Sequence, residues 1–146
     1  MMFQHILLPT DGSELAAKAI QRGVTFAKEQ GARVTAVIVS RPFHVMTLEP
    51  GMLTDTPAAY AKHVDDRTKT YLEVAEVAAK AAGVPCDAVN LEHEHPYQGI
   101  IETAENKGCD LIIMASHGRS GMSAVVLGSQ TVKVLTHSNI PVLVYR

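Results

Sequence analysis

Short apolar runs that alternate with stretches of helical periodicity most constrain the fold of this 146-residue chain. One of them, RVTAVIV at residues 33–39, is apolar or β-branched almost throughout, with no regular alternation of polar residues. Strands of that composition are buried on both faces, as in a parallel sheet covered by helices. The chain has five such runs, at residues 5–8, 33–39, 86–91, 110–114 and 142–145. We therefore predict an α/β fold with a five-stranded parallel sheet and helices on both faces.

The segments between these runs have the period of amphipathic helices. The first helix is predicted to begin after Ser13, a favourable N-cap residue, and to end at Gly31. Its small and apolar residues recur at i, i+3, i+4, i+7, i+8 and i+11 from Ala16, which places them on one face. Further helices are predicted at residues 58–82, at 97–107 and from Gly128-Ser129 onward, whereas the proline-containing segment 40–57 is predicted to be a loop.

Composition narrows the classes of function. A chain of 146 residues with 47% hydrophobic and 19% charged residues can build one folded core. The net charge is −2 and no basic run occurs, so we expect no nucleic-acid partner. No apolar run approaches the length of a membrane span, and the N-terminus lacks the features of a signal peptide. Cys86 and Cys109 have no metal-ligand spacing, and we expect reduced thiols in a cytoplasmic protein.

Two polar loops follow strands of the predicted sheet. Thr10-Asp11-Gly12-Ser13 comes after the first strand, and the segment 116–129 comes after the fourth. Ligands of such sheets bind at the carboxyl ends of the strands. Glycines after a buried strand and before a helix allow backbone N–H groups to approach a phosphate, although the same glycines also suit an ordinary turn. The spacing alone leaves open whether strands one and four are neighbours.

Known phosphate motifs fit only in part. The chain has no G-x-x-x-x-G-K-[ST] motif, and Gly118-Arg119-Ser120-Gly121 follows the fourth strand, whereas a dinucleotide-binding motif follows the first. A mononucleotide site of another type remains open. No nucleophile can be paired with a base and an orienting group, so we predict no enzyme. His93 and His95 flank Glu94, but no third ligand is apparent, and we predict no metal site.

The chain resembles the universal stress protein family over its whole length, 1–146, as a single domain. The resemblance rests on Pro9-Thr10-Asp11-Gly12-Ser13, on DLIIM followed by SHGRSG at residues 110–121, on Leu127-Gly128-Ser129 and on the ending Ile140-Pro141-Val142-Leu143-Val144. It implies a Rossmann-like sheet of strand order 3-2-1-4-5. Members that bind ATP carry G-x-x-G, nine residues and then G-[ST], which Gly118 and Gly128-Ser129 match. The first glycine of the family motif is replaced by Ala115.

The resemblance implies a role for each matching residue. Asp11 would accept hydrogen bonds from the ribose hydroxyls, although a carboxylate there can also bond its own turn. Val39 would meet adenine through its backbone. Arg119 would contact phosphate, unless it is only a solvated loop charge. The complete set of implied nucleotide-binding residues is Pro9, Thr10, Asp11, Val39, Met114, Ala115, His117, Gly118, Arg119, Gly128, Ser129, Gln130 and Thr131.

The function implied by the resemblance is that of a regulatory module of the stress response that binds ATP or AMP, with Mg²⁺ as a possible companion ion. The module would act as a homodimer through Val142–Tyr145 and signal to a protein partner that the sequence does not name. Turnover would not exceed trace ATP hydrolysis. A nucleotide-independent dimeric scaffold is the alternative, and the methyl group of Ala115 is the feature that favours it, because it narrows a phosphate loop.

Overall fold

The structure is a computed structural model that describes residues 2–42, 56–118 and 127–146. Strands and helices alternate along the chain, as the apolar runs predict. The strands are β1 (His5–Pro9), β2 (Arg33–Ser40), β3 (Cys86–Glu92), β4 (Leu111–Ala115) and β5 (Val142–Tyr145). The helices are α1 (Glu14–Gln30), α2 (Pro57–Ala82), α3 (Pro96–Lys107) and α4 (Ser129–His137). Within these described parts of the chain, no helix has the length and apolar character that a membrane crossing requires.

The five strands form one parallel sheet in the order β3-β2-β1-β4-β5, which confirms the predicted topology. β1 pairs with β4 through Ile6 opposite Leu111 and Leu7 opposite Ile112. The strand order therefore reverses between β1 and β4, since the chain winds outward from β1 in one direction and from β4 in the other. This pairing answers the question that the spacing left open: the loops after β1 and β4 lie side by side.

Alternate residues of the strands feed two separate cores. Ile6 and Leu8 of β1 pack with Ile20 of α1 and Leu72 of α2 on one face of the sheet. Leu7, between them, points to the other face and packs in a cluster with residues of α3 and α4, including Ile100 and Val134. Both faces of the central strands are consequently covered, which explains why their sequences are apolar at most positions.

Several element boundaries differ by one residue from the sequence prediction, and two of these differences have a local reason. α2 begins at Pro57, one residue earlier than predicted, because the Thr56 side chain accepts a hydrogen bond from Ala59 N at 3.1 Å. β4 begins at Leu111 because the Asp110 carboxylate lies beside the start of β1. It accepts hydrogen bonds from Gln4 N at 2.9 Å and His5 N at 3.0 Å. The predicted loop 40–57 lies mostly outside the described residues.

His5 is a buried titratable group at the amino end of the sheet, opposite the edge that carries the two loops. Its side chain is 4% exposed, and Nε2 lies 2.7 Å from Thr35 Oγ1. Burial, followed by the positive charge of Arg33, lowers the pKa of His5 below its ordinary value of 6.5. The folded protein therefore holds this imidazole neutral at a pH where the unfolded chain begins to protonate it.

The lowered pKa of His5 predicts an acid-sensitive fold. From about pH 6.5 down to the lower pKa of His5 in the folded protein, the unfolded state binds a proton that the folded state does not. The free energy of unfolding should therefore decrease as the pH is lowered through this range. The titration of His5 changes the free energy of unfolding by at most about 1.4 kcal/mol per pH unit. In His5→Gln, whose amide can still hydrogen-bond to Thr35 Oγ1, urea denaturation at pH 7.5 and 5.5 should show a smaller loss of stability between the two pH values than in the wild type. Equal losses in the two proteins would contradict the assignment, because all other histidines are shared.

Candidate functional site

A cavity of about 520 Å³ opens at the carboxyl ends of β1, β2 and β4. Its size lies within the range of small-molecule sites. The structure brings to its wall every predicted site residue that it describes, and Arg119 falls outside the described residues. The predicted residues that line it are Pro9, Thr10, Asp11, Val39, Met114, Ala115, His117, Gly118, Gly128, Ser129, Gln130 and Thr131.

Sequence reasoning missed five further residues of the wall: Ala16, Val37, Pro96, Ile100 and Leu127. Val37 could have been found, since it lies two positions before Val39 and so faces the same side of β2. Pro96 and Ile100 are four residues apart on α3 and share one face of that helix. That this face borders the cavity follows from how α3 crosses the sheet, which no local pattern in the sequence specifies.

The loop after β1 is fixed by bonds within it and by α2. Ser13 N donates to Asp11 Oδ1 at 2.9 Å, and Gly12 N donates to Thr10 Oγ1 at 3.1 Å. Gly12 has a φ of +82°, and a Cβ there would overlap the ring of Tyr71. Asp11 therefore bonds to its own turn, which is the alternative role that the sequence left open. The same residue also lines the cavity. The turn holds the carboxylate in a defined position, so the two roles are compatible.

The first turn of α4 is tied to the end of β4. Thr131 Oγ1 donates to the Ala115 carbonyl at 2.9 Å, and Gly128 N donates to the Ser116 carbonyl at 2.7 Å. Ser116 N donates in turn to the carbonyl of Tyr145 in β5 at 2.8 Å. No non-glycine residue in the described parts of the chain has a positive φ, so the backbone at Ala115 does not require the glycine of the family motif.

The amino end of α4 presents backbone donors to the cavity. Gly128 is its N-cap residue and provides no side-chain cap, and Val132 N makes the bond to Gly128 O that begins the helical ladder. The N–H groups of Ser129, Gln130 and Thr131 therefore have no partner within the helix. These three residues line the cavity. Unbonded N–H groups and the helix dipole together favour an anion at this position.

Gly118 and Asp11 bring the two loops into direct contact. A Cβ added to Gly118 would overlap Oδ2 of the Asp11 carboxylate. Glycine at position 118 leaves room for the Asp11 carboxylate, and a side chain there would require that carboxylate to move. This contact joins the loop after β1 to the loop after β4 on the wall of the cavity.

The chemistry of the wall differs between its elements. β2, α3 and β4 supply apolar side chains, including Val39, Ile100 and Met114. The two loops and the start of α4 supply hydroxyls, backbone donors and the described ionisable groups of the wall, Asp11 and His117. His117 Nδ1 lies 3.3 Å from Ser116 Oγ. Such a site can bind a ligand with a flat apolar part, a hydroxyl-bearing part and an anionic part.

The histidines after β3 lie outside this cavity. His93 Nδ1 accepts a hydrogen bond from His95 N at 2.9 Å, and His93 Nε2 lies 3.6 Å from Glu102 Oε2. Among residues 2–42, 56–118 and 127–146, no group of three or more His, Cys, Asp or Glu side chains could hold a metal ion. The prediction that the protein has no metal site stays a prediction.

The geometry places the protein in the class of parallel α/β proteins that have a cavity at the point where the strand order of the sheet reverses. The Universal stress protein family matches residues 2–146. The Bacillus subtilis universal stress protein YxiE is 33% identical over 149 residues, which cover 99% of this chain and 100% of that protein. The chain belongs to the universal stress protein family.

Solved structures agree with the fold. The structure of MJ0577, a protein of Methanocaldococcus jannaschii, matches with a TM-score of 0.79 at 26% identity, covering 99% of this chain and 96% of that one. A universal stress protein from Archaeoglobus fulgidus, solved in complex with dAMP, matches with a TM-score of 0.69 at 19% identity, covering 100% of both chains. At 19% identity, the match to the A. fulgidus protein shows a similarity of fold alone.

The contact between Gly118 and Asp11 can be tested by a double-mutant cycle. Gly118→Ala should destabilise the protein by about 1–3 kcal/mol, because its methyl group displaces the carboxylate and strains the turn. In an Asp11→Ala background the same substitution should cost much less, since the obstructing group is gone. Urea denaturation of the four proteins measures the coupling. Equal costs in the two backgrounds would show that the methyl group meets something other than Asp11.

Proposed function

We propose that this universal stress protein is a regulatory module that binds an adenine nucleotide, ATP or AMP, in the cavity at the carboxyl ends of β1, β2 and β4. One observation carries the proposal: a carboxylate and the uncapped start of a helix lie on the same cavity wall, beside an apolar wall. Ribose hydroxyls would donate to Asp11, phosphate oxygens would accept from the first turn of α4, and adenine would pack against Val39 and Met114.

Two further observations support the proposal. The A. fulgidus universal stress protein with the same fold was solved with dAMP, a close chemical relative of AMP. The backbone conformation at Ala115 does not depend on glycine, so replacing the first motif glycine leaves the loop geometry accessible. Mg²⁺ would accompany ATP on its phosphate oxygens. We propose that turnover does not exceed trace ATP hydrolysis, because the described wall offers one carboxylate and one imidazole and Asp11 Oδ1 already accepts from Ser13 N.

The regulatory part of the proposal concerns shape. Nucleotide bound at the switch point would stabilise one arrangement of the two loops and of α4, and a protein partner would recognise that arrangement. We place the protein in the cytoplasm, where the free thiols of Cys86 and Cys109 remain reduced.

The first experiment is to purify the protein without added nucleotide and to denature it. Ion-exchange chromatography of the supernatant then shows whether ATP or AMP is released.

The role of Asp11 predicts a preference for ribose over deoxyribose. By isothermal titration calorimetry the wild type should bind AMP roughly ten- to hundredfold more tightly than dAMP, because hydrogen bonds to a charged group are strong. Asp11→Ala should bind AMP weakly and lose the preference. Asp66→Ala, an exposed substitution on α2 away from the cavity, is the matched control and should retain it. A full preference in Asp11→Ala would overturn the ribose assignment.

We further propose that the module is a homodimer formed through β5. β5 is an edge strand of the sheet, and Leu143 on it is 40% exposed. The carbonyls of Pro141 and Tyr145 accept hydrogen bonds from β4 and the segment after it, so alternation along the strand turns the N–H and C=O groups of Val144 outward. An apolar edge with unpaired backbone groups is a template for pairing with a second copy.

The edge pairing predicts the effect of a single substitution. Val144→Pro removes one outward N–H and should convert the dimer to a monomer in analytical ultracentrifugation, while the bonds of β5 to β4 persist. Val144→Thr retains the N–H and a side chain of similar size, so it should remain dimeric. Circular dichroism establishes that both variants are folded. A dimeric Val144→Pro protein would place the interface elsewhere. A dimer that binds no nucleotide would favour the scaffold function instead.

A further inference from the structure

Three side chains on one face of α4 lie against the same residue of α3, Tyr97. Gln130 Oε1 accepts a hydrogen bond from Tyr97 N at 2.9 Å. Lys133 Nζ lies 5.5 Å from the centre of the Tyr97 ring, and the ring of His137 lies 5.2 Å from it. Positions 130, 133 and 137 are spaced i, i+3 and i+7, so they lie on one face of α4. The α3–α4 clasp, as we name these contacts, is independent of the bonds between α4 and β4.

The hydrogen bond in this clasp satisfies a donor that α3 leaves unpaired. His95 is the N-cap residue of α3 and makes no side-chain cap bond. Tyr97 lies in the first turn, where N–H groups have no partner within the helix. The amide oxygen of Gln130 therefore caps α3 from the neighbouring helix. Because Gln130 also lies in the first turn of α4, the same side chain ties together two walls of the cavity.

The position of α4 depends on polar contacts more than that of α3. α4 buries only Thr131 and Val134, while Val132 and Leu135 are 44% and 41% exposed. α3 is anchored in the core by Ile100 and other buried residues. Loss of the clasp should therefore shift the first turn of α4 and leave the apolar wall in place. The hydrogen bonds of Thr131 and Gly128 would still hold that turn to the end of β4, but from one side only.

We propose that Gln130 is a positioning residue for the anionic end of the ligand. Its side chain holds the first turn of α4 against α3, so that the backbone N–H groups at the start of α4 point at phosphate. The resemblance implied that Gln130 contacts phosphate. In the structure its side-chain oxygen accepts from Tyr97 N, which leaves its backbone N–H for the phosphate. This role of Gln130 rests on the proposed function, because it concerns how the same cavity recognises a nucleoside phosphate.

Gln130→Met keeps the length of the side chain and removes the acceptor. Its affinity for AMP should fall roughly three- to tenfold, the effect of one hydrogen bond, while its affinity for adenosine should change by less than about twofold. Calorimetry measures AMP, and NMR titration measures the weaker adenosine. In the ligand-free protein, the amide of Tyr97 should exchange with solvent faster in Gln130→Met than in the wild type. Gln21→Met, the same substitution at an exposed position of α1 away from the cavity, is the matched control and should leave both affinities and the amide protection unchanged.

Three other results of these binding measurements would each contradict either the role of Gln130 or the proposed function. If Gln130→Met binds AMP like the wild type, the inference is wrong and the proposed function stands. If AMP and adenosine affinities fall by the same factor, Gln130 acts on the general stability of the cavity and does not position the phosphate end. If the wild type binds neither AMP nor ATP, the proposed function fails, and the inference fails with it.

Discussion

The parallel pairing of β1 with β4 is the constraint on which the site depends. It places the loop after β1 beside the loop after β4, so that residues more than a hundred positions apart share one cavity wall. The pairing is maintained by cores on both faces of the sheet, and at its amino end by the Asp110 carboxylate, which binds the backbone of Gln4 and His5. Stability and site geometry therefore share one cause, since the sheet that buries the core also aligns the loops.

Contacts between backbone and small side chains, more than charge, set the geometry at the open edge. Asp11 lies where a side chain at position 118 would be, and Thr131 and Gly128 donate to the end of β4. Such contacts leave backbone N–H groups of α4 available without a neighbouring lysine or arginine among the described lining residues. Under the proposed function, such a site would recognise the anionic part of its ligand mainly through oriented dipoles, which cost little reorganisation when the ligand arrives.

The parts predictable from sequence are those in which a local pattern has one physical meaning. The apolar and β-branched run RVTAVIV is typical of a strand covered on both faces, and the spacing from Gly118 to Gly128 matched a family motif closely enough to locate the cavity wall. Features that depend on how helices cross the sheet were not accessible. Pro96 and Ile100 border the cavity, and Gln130 meets Tyr97 across 33 positions, because of the packing of α3 against α4. No residue pattern within either helix specifies that packing.

Gln130 also illustrates why a family motif does not fix the role of a side chain. The motif aligns the backbone of the turn, and any residue other than proline at position 130 would bring an N–H group to the cavity. The glutamine side chain adds a hydrogen-bond acceptor and is long enough to bring it to the uncapped start of α3. A shorter or apolar side chain would leave that donor without this partner and α4 held from one side. Members of one family can thus share the phosphate-facing backbone and differ in how firmly its position is held, which is a route to different nucleotide affinities within one fold.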